Sequence, residues 1–233
     1  MVSIIKLDTV DSTNRFAKQY NEKKHLLTIV ADTQTGGRGR MGREFYSYSG
    51  GLYMSVIIDP SEINVPFHIV TPAAALAVRN TLVEYGVIQA KIKWVNDIYL
   101  DGKKICGILT EAKSEDNKID RIVVGIGINL SSENSRFPEE LQVKAGYVKI
   151  DANKERVAQK IAEKLGEYLK KTKEQIAEEY GRELLYLGQR ITLTDYSENR
   201  QIAAKVLGIN EDCFLKIEFD DKTVKYLSSG EIV

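Results

Sequence analysis

The segment IKWVNDIYLDGKKICGILTEAK, residues 92–113, constrains the fold more than any other part of the chain. Asp101-Gly102 lies between two apolar runs, a short-range pattern that predicts a β-hairpin. A second hairpin follows, because RIVVGIGINL (121–130) reads as a strand after the polar turn SEDNK. SIIKLDTV and LLTIVADTQ read as strands, and YSYSGGLYMSVIID as strand, Gly-Gly turn and strand. Capping residues in DSTNRFAKQY precede Phe16, Ala17 and Tyr20 at helical spacing. Residues 67–85 form an Ala-rich helix. From Asp151 to about Leu187 the pattern is helical, with Val157, Ile161, Leu165 and Leu169 recurring every four residues. The expected fold is α+β, a mixed, largely antiparallel sheet with flanking helices, not a doubly wound parallel sheet.

After Gly188 the texture changes. RITLTD, QIAAKVLGI, CFLKIEF, TVKYL and GEIV are short strands at close spacing, the pattern of a small SH3-like β barrel. Two domains are expected, 1–187 and 188–233.

Lysine plus arginine and aspartate plus glutamate are equal at 33 each, which gives no ground for a general nucleic-acid or membrane-surface coat. The two histidines, His25 and His68, cannot build a histidine-rich metal site, although a metal held by carboxylates and phosphates stays open. Cys106 and Cys213 sit in apolar strand-like runs and read as reduced and partly buried. No apolar run approaches a membrane span, and the N-terminus lacks the basic start of a signal peptide. The expectation is a cytoplasmic protein.

Against this neutral background, GGRGRMGREF (36–45) is a local basic feature. Gly37-Arg38-Gly39-Arg40-Met41-Gly42 matches the dinucleotide pattern G-x-G-x-x-G letter for letter. That pattern needs a helix after the turn, whereas REFYSYSGGLYMSVII is aromatic and strand-forming. A P-loop fails for want of G-K-[ST]. A solvated flexible loop and a short Arg-Gly arm for RNA stay open. The favoured reading is a mobile glycine loop that carries arginine forks to a phosphate.

Lys93-Trp94-Val95-Asn96-Asp97 supports it. Period-two alternation would put Lys93, Val95 and Asp97 on one face and Trp94 and Asn96 on the other. Charged and amide groups beside an apolar strand need partners, or else mark a solvated strand end. Lys104 follows the hairpin turn, where a solvated lysine is the plain alternative. Gly107 inside a strand implies that something approaches the backbone closely.

Together these stretches resemble the biotin protein ligases. The match runs in order through Asp11-Ser12-Thr13-Asn14, Thr35 to Arg43, Lys93 to Asp97 with Lys104-Ile-Cys-Gly107, and Gly125-Ile-Gly-Ile-Asn129. The C-terminal LSSGEI looks like the family's small β domain. Val95, Cys106 and Phe45 stand where the family often has proline, alanine and tryptophan. The resemblance implies the class II synthetase/biotin ligase-like fold. It also implies an enzyme that uses ATP and Mg²⁺ to convert biotin to biotinyl-5′-AMP. The biotin then passes to one lysine of the biotin carboxyl carrier domain of a biotin-dependent carboxylase.

Carried over by position, the resemblance makes Lys104, Arg40, Lys93 and Asp97 the catalytic set, with Asp97 as a Mg²⁺ candidate. Ser12, Thr13, Asn14, Gln34, Gly37, Arg38, Lys104 and Gly107 are expected at biotin. Arg40, Arg43, Phe45, Lys93, Asn96 and Asn129 are expected at ATP or the adenylate. Bifunctional members carry a helix-turn-helix domain before this region; with DSTN beginning at residue 11, the expectation is a ligase without repressor activity or DNA binding. A homodimer is expected, since exposed strand edges can pair. The alternatives are a lipoate–protein ligase and a non-enzymatic RNA- or protein-binding module.

Overall fold

A computed structural model describes residues 2–131, 137–198 and 200–232; Val233, the last residue of the expected GEIV strand, lies outside them. The chain runs β1 (Ser3–Val10), α1 (Thr13–Gln19), β2 (Leu27–Gln34), β3 (Leu52–Ile58), α2 (Phe67–Glu84), β4 (Lys91–Lys93), β5 (Asp97–Leu100), β6 (Lys103–Glu115) and β7 (Lys118–Ile128). It continues through α3 (Glu139–Gln142), α4 (Lys154–Leu169) and α5 (Lys173–Arg182). It ends in β8 (Arg190–Asp195), β9 (Arg200–Ile209), β10 (Leu215–Glu218), β11 (Val224–Leu227) and β12 (Gly230–Ile232).

Both expected hairpins form. Asp101 and Gly102 turn β5 into β6 with φ of 49° and 74°, and Asp116 and Asn117 turn β6 into β7 with φ of 49° and 61°. These are the left-handed values that a two-residue hairpin matched to strand twist requires. Seven strands make one sheet, in the order β1-β2-β3-β7-β6-β5-β4. β1 and β2 are parallel, and the other neighbouring pairs are antiparallel.

Strand alternation gives this sheet two different faces. Leu52, Met54, Val56 and Ile58 of β3, with Ile122, Val124, Ile126 and Ile128 of β7, enter the main core with residues of α2, α4 and α5. The residues between them point the other way. There Ile57 and Val123 pack against Ala17 of α1, Ser55 and Gly125 lie against Thr13 and Asn14 in its first turn, and Gly127 continues beyond the helix. β8 to β12 form a second, all-antiparallel sheet in the order β11-β10-β9-β8-β12. Its inner residues, among them Leu193, Val206 and Leu215, join the same core cluster.

Three expectations need correction. Tyr46 and Tyr48 are not in a strand: their rings pack on each other and on Phe137, and Tyr48 Oη donates to the Leu130 carbonyl at 2.6 Å. Side-chain packing outweighs their β-propensity. Residues 151–187 are not one helix, because Thr172 and Gln175 form a capping box that starts α5 afresh. After α5, Ile92 N–H donates to the Glu183 carbonyl and Leu185 N–H to the Ile92 carbonyl, which draws the chain alongside β4. Finally, Trp94-Val95-Asn96 is no strand but the turn between β4 and β5. Among the described residues, no helix is long and apolar enough to cross a membrane.

Candidate functional site

On the sheet face that α1 leaves open, the strands are stripped of side chains. Gly107 of β6 pairs directly with Gly127 of β7. A Cβ on Gly127 would stand 2.4 Å from the Phe45 ring, and one on Gly107 would stand 3.1 Å from both Phe45 and Lys104 Nζ. The glycine in the β6 strand is therefore explained by close approach, as expected. The two glycines form a floor, which Phe45 covers from the glycine loop.

Around this floor lies a cavity of about 350 Å³. Ser12, Thr13 and Asn14 at the start of α1, Gln34 at the end of β2, and Arg38, Arg40, Arg43 and Phe45 of the loop line it. Lys93, Asn96, Asp97, Lys104, Gly107 and Asn129 complete the expected set on its wall. Gly37 does not line it. It is packed beneath the loop, where a Cβ would meet the Phe45 carbonyl oxygen at 2.4 Å and Ser47 Oγ at 2.5 Å.

The alternation expected for Lys93 to Asp97 fails, yet Lys93 and Asp97 share a side by another route. They are opposite residues of the β4–β5 pair. The turn buries Trp94, 4% exposed, against the cavity wall, where its Nε1 donates to the Cys213 carbonyl at 3.0 Å. Asn96 is clamped: its Nδ2 donates to the Ile108 carbonyl at 2.9 Å, and its carbonyl accepts from Ile108 N–H at 2.9 Å. This leaves Asn96 Oδ1 to accept from Arg40 Nη1 at 3.1 Å. Asn129 likewise serves the backbone, donating from Nδ2 to the Lys104 carbonyl at 3.2 Å.

Charge concentrates at one end. Lys104 Nζ lies 2.7 Å from Asp97 Oδ1. That oxygen is buried and has no aligned hydrogen bond, so the contact is an ion pair and the oxygen keeps unused acceptor capacity. Lys93 Nζ donates to Tyr99 Oη at 3.3 Å and stands 5.0 Å from its ring centroid. Burial holds the Lys93 ammonium below its ordinary pKa, against the pull of Asp97 and Glu231. Arg43 grips Glu231 and lies 3.3 Å from Tyr196 Oη, which itself donates to Glu231 at 2.8 Å. The Arg43 guanidinium holds the Glu231 carboxyl at about 2. In all, Arg38, Arg40, Arg43, Lys93, Lys104 and Lys144 line the cavity together with Glu44, Asp97 and Glu231, an excess of cations suited to an anionic ligand.

Several wall residues escaped the sequence reading. Tyr99 was accessible, since alternation from Asp97 puts it on the same side. Glu231, a lone carboxylate in the last strand, was a faint cue. Tyr46 directly follows Phe45 of the loop, whereas Tyr196, Phe137 and Lys144 reach the cavity from elements distant in sequence, and no local pattern marks them. Among the described residues, no three acidic, histidine or cysteine side chains cluster as a metal site.

The chain is similar to known proteins in sequence and in fold. The Biotin/lipoate A/B protein ligase family matches residues 7–129, and the biotin protein ligase C-terminal domain matches residues 186–233. The bifunctional ligase/repressor BirA of Bacillus subtilis (strain 168) is 40% identical over 138 residues, covering 58% of this chain and 42% of that protein. The chain thus spans under half the length of that relative. The biotin–[acetyl-CoA-carboxylase] ligase of Mycobacterium tuberculosis is 24% identical over 222 residues, covering 89% of this chain and 78% of that protein. The structure of the biotin protein ligase from Aquifex aeolicus in complex with biotin and ATP superposes with a TM-score of 0.86 at 30% identity, covering 100% of this chain and 98% of that one. With the family match extending from Leu7 through Asn129, across most of the cavity's walls, the chain belongs to the biotin/lipoate A/B protein ligase family.

Proposed function

We propose that this protein activates biotin with ATP as biotinyl-5′-AMP and transfers the biotin to a lysine of a biotin carboxyl carrier domain. The observation that carries this reading is the Lys104–Asp97 pair at the edge of the glycine floor, with loop arginines on the same cavity wall.

In the first step a carboxylate oxygen of biotin attacks the α-phosphorus of ATP, and pyrophosphate leaves. Both reactants are anionic, so fixed cations do most of the work, by cancelling repulsion and stabilising charge that develops on the phosphate. Lys104 sits at the carboxylate and α-phosphate, with Lys93 and Arg40 at the phosphates. Asp97 fits as a Mg²⁺ ligand through the acceptor capacity its carboxylate keeps beside Lys104, one protein carboxylate being typical where phosphates and water supply the rest. The metal when bound supplies further charge neutralisation. Phe45, Asn96 and Asn129 serve the adenylate side, and Ser12, Thr13, Asn14, Gln34, Arg38 and Gly107 the biotin. In the second step the carrier lysine's neutral amine attacks the acyl carbon, AMP leaves, and the amine gives up its proton as the amide forms. The loop, by closing, keeps water from the acyl phosphate.

Exchange of radiolabelled pyrophosphate into ATP tests the reading. It should depend on biotin and not on lipoate, whose dithiolane ring lacks the polar head that Thr13 and Gln34 suit. Exchange driven by lipoate instead would sink it.

A further inference from the structure

LYMSVII, residues 52–58, is buried along its whole length, and Ser55 is the one small polar residue in it. Ser55 is fully buried and lies off the cavity wall. A buried hydroxyl costs stability unless its hydrogen bonds are made, so its contacts are informative. Ser55 Oγ lies 2.6 Å from Asn14 Oδ1 and 2.7 Å from Thr13 Oγ1.

The proton positions follow from what each neighbour can accept. Asn14 Nδ2 faces Glu111 Oε2 at 2.8 Å and the Leu109 carbonyl at 3.2 Å. Burial alone would raise the Glu111 pKa, but hydrogen bonds from Lys18 and Asn14 outweigh it and hold the carboxyl below its ordinary value. Both neighbours therefore only accept, which turns the Asn14 amide nitrogen toward them and its oxygen toward Ser55. That oxygen has no proton, so the single proton of Ser55 goes to it. The 2.7 Å contact then takes its proton from Thr13, which gives it to Ser55 in preference to Gln34 Oε1 at the longer 3.1 Å. Thr13 lines the cavity and is left to face it with lone pairs only. Gln34 has the opposite polarity. Its Oε1 accepts from Thr13 N–H at 2.8 Å, and its Nε2 donates one proton to Ser47 at 2.9 Å. The second amide proton is left for the cavity.

We propose that Ser55 is a specificity-determining residue, acting through Thr13: it makes Thr13 an obligate acceptor, so that Thr13 and Gln34 together read an N–H beside a C=O, the edge of a cyclic urea. This deepens the biotin reading and rests on it. A ligand that presented an acceptor to Thr13 would draw the threonine proton outward. Two buried oxygens 2.7 Å apart would then have no proton between them. In Ser55→Ala the Thr13 proton falls instead to Gln34 Oε1 at 3.1 Å, a longer contact from which a ligand acceptor can take it.

Titration calorimetry on the full chain tests the proposal, with biotin and the two cyclic carbamates that carry a ring oxygen in place of one ureido N–H. The wild type is expected to bind biotin at least about 100-fold more tightly than the more strongly rejected carbamate. Ser55→Ala should narrow that ratio by about tenfold, mainly by improving carbamate binding. Thr13→Val removes the acceptor, together with the hydroxyl that donates to Ser55, and should bring the ratio close to one. If Ser55→Ala fails to fold, Ser55→Cys decides the matter: its thiol is a weaker acceptor for the Thr13 proton and should narrow the ratio in the same direction, and an unchanged ratio overturns the proposal. A ratio unchanged in the folded variants, or equal losses for both ligands in Ser55→Ala, overturns the proposal while the biotin reading stands. A wild type that binds no biotin overturns both.

Discussion

Lys93 and Lys104 are four-carbon cations placed by the same hairpins but held differently. Lys104 is engaged by Asp97 at 2.7 Å, so an anion entering the cavity competes with that carboxylate for it. Lys93 rests on a tyrosine and pays for burial with a lowered pKa. A group that serves phosphates must keep its proton, so adenylate formation should decline on the alkaline side at a lower pH than an ordinary lysine would set. Lys93→Arg keeps its charge throughout that range. The alkaline limb of the pH profile for biotin-dependent pyrophosphate exchange is expected to move upward in this variant. A limb that stays in place would separate Lys93 from the phosphates.

At the scale of elements, turns do most of the positioning. The β4–β5 turn holds Asn96 by two bonds to Ile108 and offers its oxygen to Arg40. Asn96→Ala should free the loop arginine at little cost to the core. The expected result is faster escape of biotinyl-AMP, read by stopped-flow release, with the melting temperature shifted by no more than a few degrees. The turn after β8 is held by Asp195, fully buried and bonded to Ser197 and Lys225. Burial opposes its charge, but Lys225 and Ser197 prevail and bring the carboxyl from 3.8 to about 2. A depressed folded-state pKa contributes stability above the unfolded value and loses it as pH falls through the folded one. Asp195 should therefore contribute up to about 2 kcal/mol near neutrality, lost between about pH 4 and pH 2. Asp195→Asn is expected to flatten that part of an acid-denaturation curve, and to unsettle Tyr196 beside it.

For the whole molecule, the second sheet is part of the cavity rather than an appendage. It supplies Tyr196, Gly230 and Glu231 to the wall, and it holds the far side of the β4–β5 turn through Trp94. A Cβ on Gly230 would stand 2.6 Å from the Thr194 carbonyl oxygen and 3.5 Å from the indole. Trp94→Phe keeps the ring but strands the Cys213 carbonyl. Destabilisation of about 1–3 kcal/mol is expected by denaturant titration, together with weaker ATP binding, because Lys93 and Asp97 flank the same turn. Unchanged ATP affinity in a destabilised variant would confine Trp94 to a structural role.

Much of this was legible in the sequence because its causes are local. Asp101-Gly102 dictates a left-handed two-residue turn, and the apolar runs LYMSVII and RIVVGIGINL mark two strands by composition alone. Once the resemblance was drawn, all the expected site residues but Gly37 proved to share one cavity. What the sequence could not carry was contact between distant segments. Tyr46 and Tyr48 were lost from their expected strand to rings of Phe137 and Tyr147. Trp94 left its expected strand for a carbonyl 119 residues away. The same holds for the arginine–glutamate grip between the loop and β12, and for the proton order set by Ser55. Propensity and periodicity act through neighbours in the chain and so can be read from it. Hydrogen-bond partners and ring contacts are settled only when packing brings remote side chains within a few ångströms.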